Sequence, residues 1–126
     1  MAVRKNLQDI VRGDDVLMTI TIATEAGGVI NVTGDTIYFT VKKKAVEPDV
    51  AAHIAKIIEV PNDANSILGI VELQLQSIET GLKADTYSYD IQWKRNVSGN
   101  FEIITLQYGT VLFVQDVTFS TSNATV

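Results

Sequence analysis

The chain has no cysteine, which excludes a disulfide framework and any zinc site built on thiolates. Stability therefore has to come from packing. There is one histidine, His53; a catalytic triad would need it as the base, and no nucleophile motif accompanies it. No D-x-D-x-D-G loop is present to hold calcium, and Asp14-Asp15, Asp35, Asp85 and Asp90 are read as turn residues. Nothing selects two carboxylates facing across a cleft, as glycoside hydrolysis requires. The expectation is a protein that is not an enzyme, with no metal and no cofactor.

Long apolar runs are missing too. No stretch approaches the roughly 18 residues of a membrane-spanning helix, and the first residues, M-A-V-R-K-N-L-Q-D, contain no apolar core of signal-peptide length. This predicts no membrane association and synthesis in the cytoplasm. Fifteen acidic residues stand against ten basic ones, a net charge of −5. The only basic cluster is Lys42-Lys43-Lys44, so a nucleic-acid partner is not expected. Without a secretory signal, the Asn-X-Ser/Thr triplets at Asn31, Asn96 and Asn123 read as turns. Arg12-Gly13-Asp14 spells an integrin-binding tripeptide and reads as a turn as well.

What the chain does have is strict alternation. In Gly81 to Arg95, Tyr87, Tyr89, Ile91 and Trp93 occupy every second position, with Ser88, Asp90, Gln92 and Lys94 between them. On a strand this places three aromatics and an isoleucine on one face and polar groups on the other. Each such ring buries roughly 150–250 Å² when it goes inside, so the core is expected to gather against this strand. If the aromatic face were exposed it would make a sugar-stacking platform, but the opposite face is the polar one, which favours the core reading.

The same period recurs along the chain. Asp15 to Ala23 and Thr36 to Lys43 read as strands, as do Ile54 to Val60, Leu68 to Gln76 and Phe101 to Gln107, the last continuing through Val111 to Val114. Leu7 to Val11 reads as an edge strand, Val29 to Val32 as a short extended piece, and Val117 to Phe119 as a closing strand. A kink or bulge is expected at Tyr108-Gly109-Thr110. Ala45 to Ala55 reads as a loop with at most a short helix, P-N-D-A-N at 61–65 as a turn, Ser77 to Gly81 as one helical turn, and Asn96 to Asn100 as a hairpin loop. A turn aspartate precedes three strands, at Asp14-Asp15, Asp35 and Asp85, each expected to bond its own following backbone.

Seven or eight short strands at intervals of about ten residues, with scarcely any helix, predict an immunoglobulin-like antiparallel β-sandwich. At 126 residues the chain is one domain.

The order G-D-D-V-L-M-T-I-T-I, I-N-V-T-G-D-T-I-Y-F-T-V-K-K, G-I-V-E-L-Q-L and G-L-K-A-D-T-Y-S-Y-D-I resembles small β-sandwich domains of tailed bacteriophages. Among them is the N-terminal domain of baseplate upper proteins. There a T-G turn precedes a strand and a G-x-Y-x-Y strand follows a short helical turn. Asn31-Val32-Thr33-Gly34 stands for the first motif and Gly81 to Tyr89 for the second, with Lys83-Ala84-Asp85 longer than the family's usual approach to the tyrosine. The resemblance covers roughly residues 12 to 118. It implies a structural subunit of a phage or prophage virion, in the tail, baseplate or neck, made in the host cytoplasm and docking on other virion proteins as part of a homo-oligomeric assembly. Because no fibre or receptor-binding region follows the sandwich, a free-standing adaptor, tail-completion or decoration subunit is expected. A capsid decoration protein and a carbohydrate-binding module for host recognition are the alternatives. Partner contacts are expected from two arms, Met1 to Asp9 and Ser120 to Val126, and from the lysine cluster: Arg4, Lys5, Leu7, Lys42, Lys43, Lys44, Thr121 and Val126.

Overall fold

The computed structural model describes residues 3–24, 26–48, 51–97 and 99–115. Its strands are β1 (Val3–Arg4), β2 (Ile10–Val11), β3 (Val16–Thr21), β4 (Thr36–Lys42), β5 (Ile54–Glu59), β6 (Ile70–Leu75), β7 (Asp85–Val97) and β8 (Asn100–Val114), with one helix, α1 (Ala64–Ile67). In one sheet the order is β1-β8-β7-β4-β5, with β2 also paired to β8; in the other, β3 pairs with β6. Side chains from both sheets meet in one core. This is an all-β sandwich, with the pairing order of the immunoglobulin type.

The aromatic row of β7 lies inside: Tyr87, Tyr89, Ile91 and Trp93 are each 4% exposed. They meet Ile37, Phe39 and Val41 of β4 and, from the other sheet, Ile20, Val71, Leu73 and Leu75. The polar tips of the rings are all satisfied, as buried rings of this kind require. The Trp93 indole N–H donates to Asp35 Oδ2 at 2.9 Å, and the Tyr87 hydroxyl donates to the Lys83 carbonyl at 2.7 Å. The Tyr89 hydroxyl donates to the Lys5 carbonyl and accepts from Gln107 Nε2. Burial pushes the Tyr89 hydroxyl's pKa up, and the bond from Gln107 partly offsets this.

Several local expectations change. Part of Leu7 to Val11, read as an edge strand, is β2, and part of the Met1 to Asp9 arm is β1; both pair parallel to β8, with Val3 opposite Gln107 and Ile10 opposite Phe113. The bulge lies at Leu106, where the register steps between Ile91–Gln107 and Gln92–Thr105. Gly109 stays in register, and a Cβ there would sit 2.3 Å from the Lys5 carbonyl oxygen, so glycine is needed for the N-terminal strand to approach. The Ala51 N–H donates to the Pro48 carbonyl at 2.9 Å, in keeping with at most a short helix in Ala45 to Ala55, while α1 starts within the P-N-D-A-N stretch read as a turn: Asp63 caps it, accepting from the Ser66 N–H at 2.8 Å while the Ser66 hydroxyl accepts from the Asp63 N–H. The residues that form turns are also those that cap helices, which is why the sequence reads either way. The β7–β8 ladder runs on to the Val97–Asn100 pair, where a five-residue loop was expected. Val29 makes a single bridge to Ala23. Val117 to Phe119 and the tail 120–126 lie outside the described residues.

Residues 77–80 make the expected single turn, with the Thr80 N–H donating to the Gln76 carbonyl four residues back at 3.2 Å, but Gly81 does not take positive φ. The Glu79 carboxylate accepts from the Gln76 N–H and from Lys56 Nζ, both at 2.9 Å. These bonds, the backbone one first, hold its pKa below the ordinary glutamate value. A depressed carboxylate pKa contributes stability that is present above the unfolded-state value and lost as pH falls through the folded one. Glu79→Gln is therefore expected to lower stability near neutrality, with the gap to the parent closing toward about pH 3; urea melts across that range check it.

Of the turn aspartates, only Asp85 bonds its own following backbone, accepting from the Thr86 N–H at 2.8 Å. Asp15 reaches the Ser77 N–H and Asp35 the Trp93 indole. Asp90 lies within β7 and is not a turn residue. Arg12 donates to the carbonyls of Leu82 and Gly81 and to Gln115 Oε1. That ties β2 to the approach of β7, a structural use of the Arg-Gly-Asp arginine.

Candidate interaction face

The outward side of the larger sheet follows from register. Ile57, Tyr38, Gln92 and Thr105 lie in one row across β5, β4, β7 and β8; Glu59, Thr36, Lys94 and Ile103 form the next, and Ala55, Thr40, Asp90 and Tyr108 the one on the other side. Five large apolar side chains stand out to solvent on this face: Ile57 at 62%, Phe101 at 67%, Ile103 at 60%, Tyr108 at 42% and Leu112 at 38% exposed. Lys94 covers part of the patch, its ammonium 4.3 Å from the Phe101 ring centroid. Single exposed apolar residues are ordinary; several on one sheet face, interleaved with polar groups, have the composition of a contact surface.

A depression of about 420 Å³ opens on the same face, lined among others by Arg4, Lys42, Asp90, Tyr108 and Thr110. The β1 strand brings Arg4 there by pairing opposite Tyr108. Lys42 ends β4, and its ammonium donates to the Glu47 carbonyl at 2.8 Å. Arg4 and Lys42 are thus brought together from the expected contact residues. The other candidates go elsewhere. Lys43 pairs with Asp85 and sits 5.3 Å from the Tyr87 ring centroid; this pairing, with the Thr86 N–H, holds the Asp85 pKa down. Lys44 is exposed, with its backbone N–H on Glu47 Oε1. Lys5 and Leu7 are bound to β8 through their N–H groups, which donate to the Tyr108 and Thr110 carbonyls at 2.8 and 2.9 Å. Thr121 and Val126 lie outside the described residues.

Sequence reasoning missed the apolar part of the face because it started from β7, whose outward residues are all polar. The signal was present in Ile57-Ile58 and Ile103-Ile104. Adjacent isoleucines on a strand must face both ways; Ile58 and Ile104 pack against the core and their neighbours face out.

Among the described residues no group of three His, Cys, Asp or Glu side chains could hold a metal ion. His53 is an exposed ring set edge-on to Tyr87 at 5.3 Å. Among the described residues no helix is long and apolar enough to cross a membrane. Fold and face together define a β-sandwich with a mixed apolar and polar sheet surface. Compared with known proteins, the chain matches no protein-family model and no curated protein.

Proposed function

We propose that this chain is a non-enzymatic structural subunit of a phage or prophage virion, a tail, baseplate or neck adaptor that docks on neighbouring virion proteins. The observation that carries docking is the outward face of the larger sheet, where Ile57, Phe101, Ile103 and Tyr108 are exposed beside Arg4 and Lys42. The virion setting is supported by the resemblance of the T-G turn and the Gly81 to Tyr89 strand to phage sandwich domains. A sugar platform built on Tyr87, Tyr89 and Trp93 is not available, because these rings are buried. Contacts repeated in a symmetric assembly would supply affinity that one face alone does not.

The test is Phe101→Asp combined with Ile103→Asp. Both side chains are exposed, so stability should change by about 1 kcal/mol or less. Association with the neighbouring virion proteins, followed by light scattering and by copy number in purified particles, should fall to background. Normal incorporation of the double variant would overturn the reading.

A further inference from the structure

Among the described residues, the smaller sheet has an open edge with the pattern of one that is paired. The Ile22 N–H donates to the Gly69 carbonyl at 2.8 Å, and the β3–β6 register is regular. Strand alternation therefore turns the N–H and C=O groups of Leu17, Thr19 and Thr21 away from β6. Among the described residues β6 is the only strand paired with β3. Proteins protect such edges with charge, proline or a bulge, and V-L-M-T-I-T has none of these. The open edge of β5, by contrast, carries Lys56 and Glu59.

Beside this edge lies a groove of about 450 Å³ between β3 and β8. Ile91 and Trp93 lie in it, with Ile20 and Ile22 on the β3 side and Ile104 and Leu106 on the other. At its rim the Arg95 guanidinium lies 5.0 Å from the Trp93 ring centroid and pairs with Glu102 at 3.1 Å. The Arg95 Nε–H is buried with no hydrogen-bond partner, a local cost of packing the guanidinium on Trp93.

We propose that this groove accepts an extended peptide segment from another polypeptide, added as a strand to the open edge of β3. The outward backbone groups of β3 call for a polypeptide; a lipid tail would leave them unpaired. The apolar walls call for β-branched or aromatic residues at alternate positions of the incoming strand, pointing inward. The uncharged edge calls for an incoming strand without charge at those positions. At about 3.3 Å per residue, the six residues of β3 offer an edge of about 20 Å. This is strand addition, in which main-chain bonds give affinity and alternate pockets give specificity. It is a second surface, separate from the outward face of the larger sheet, and does not depend on the virion reading.

The experiment is selection of short linear peptides of random sequence on the immobilised full chain, with affinities then read from Trp93 emission. Enriched peptides should alternate apolar and polar residues and should protect the Thr19 and Thr21 amides from hydrogen exchange. Thr19→Pro removes an outward N–H without breaking a β3–β6 bond, and should weaken binding by about tenfold or more, the scale of one or two lost hydrogen bonds. Leu106→Glu, which places a carboxylate on the far wall, should do the same and decides the matter if the proline variant fails to fold. Phe101→Asp with Ile103→Asp should bind these peptides like the parent, so failure of the docking-face reading stays distinguishable. No enrichment, binders that lack the alternation, or unchanged affinity in a folded groove variant would each overturn the proposal.

Discussion

Gly69→Ala is expected to destabilise the sandwich more than any other single-methyl change. Gly69 has φ +77°, where a side chain crowds its own backbone. A Cβ there would also lie 2.3 Å from the Ile22 carbonyl oxygen and 2.8 Å from that of Ile30. Neither is the end of a flexible side chain: the first belongs to Ile22, whose N–H pairs with Gly69, and the second to the 29–32 segment, which the Val32 N–H ties to the Ser66 carbonyl at 3.0 Å. The conformational cost and the overlap together should come to roughly 2–5 kcal/mol, a large part of the margin of a domain this size. Gly34→Ala is the control. Its φ is +82°, yet nothing lies within 4 Å of the added atom, so it should show only the conformational part, about 1–2 kcal/mol. Urea midpoints give both values. Equal losses in the two variants would mean that the carbonyl contacts at Gly69 carry no energy.

Phe39→Ala is expected to cost about 3–5 kcal/mol. Phe39 is fully buried on β4 and has its ring 6.0 Å from that of Tyr89. Its backbone pairs with Lys56 of β5 on one side and Ile91 of β7 on the other, so the strands around it are held in place and the vacated space cannot collapse easily. Ile57→Ala, on the neighbouring strand but facing out, should change stability by no more than about 0.5 kcal/mol. The pair separates burial from strand membership, and thermal melts read both. If Phe39→Ala cost as little as Ile57→Ala, the core would not be where the burial places it.

The part of this fold that was legible in the sequence is the part written in side-chain alternation. Thr36 to Lys43 and the Tyr87–Trp93 row led directly to β4 and β7 and to the buried face, because one half-buried face leaves a period of two. What depends on pairing left no such trace. Two-residue strands such as Val3–Arg4 are too short to show a period, and their parallel partner lies near the other end of the chain. The bulge at Leu106 is set by how β8 meets β7, while Gly109, which looked like a kink, is small because the Lys5 carbonyl comes close. At the candidate face, Lys42-Lys43-Lys44 reads as one basic cluster, but backbone alternation and the end of β4 separate it: Lys42 faces the depression, Lys43 meets Asp85, and Lys44 is exposed.

The pairing of β1 and β2 with β8 also has a temporal meaning. Asn6 Oδ1 accepts from the Thr110 N–H, a partner 104 residues later in the chain. Residues 3–11 are synthesised before β8, and their place on the sheet does not exist until β8 has left the ribosome. Until then β3 through β7 can collapse together, while the N-terminal strands have nothing to pair with. Chain growth at about 5–20 residues per second makes that wait several seconds, so the larger sheet is completed late, only when β8 joins the strands made before it.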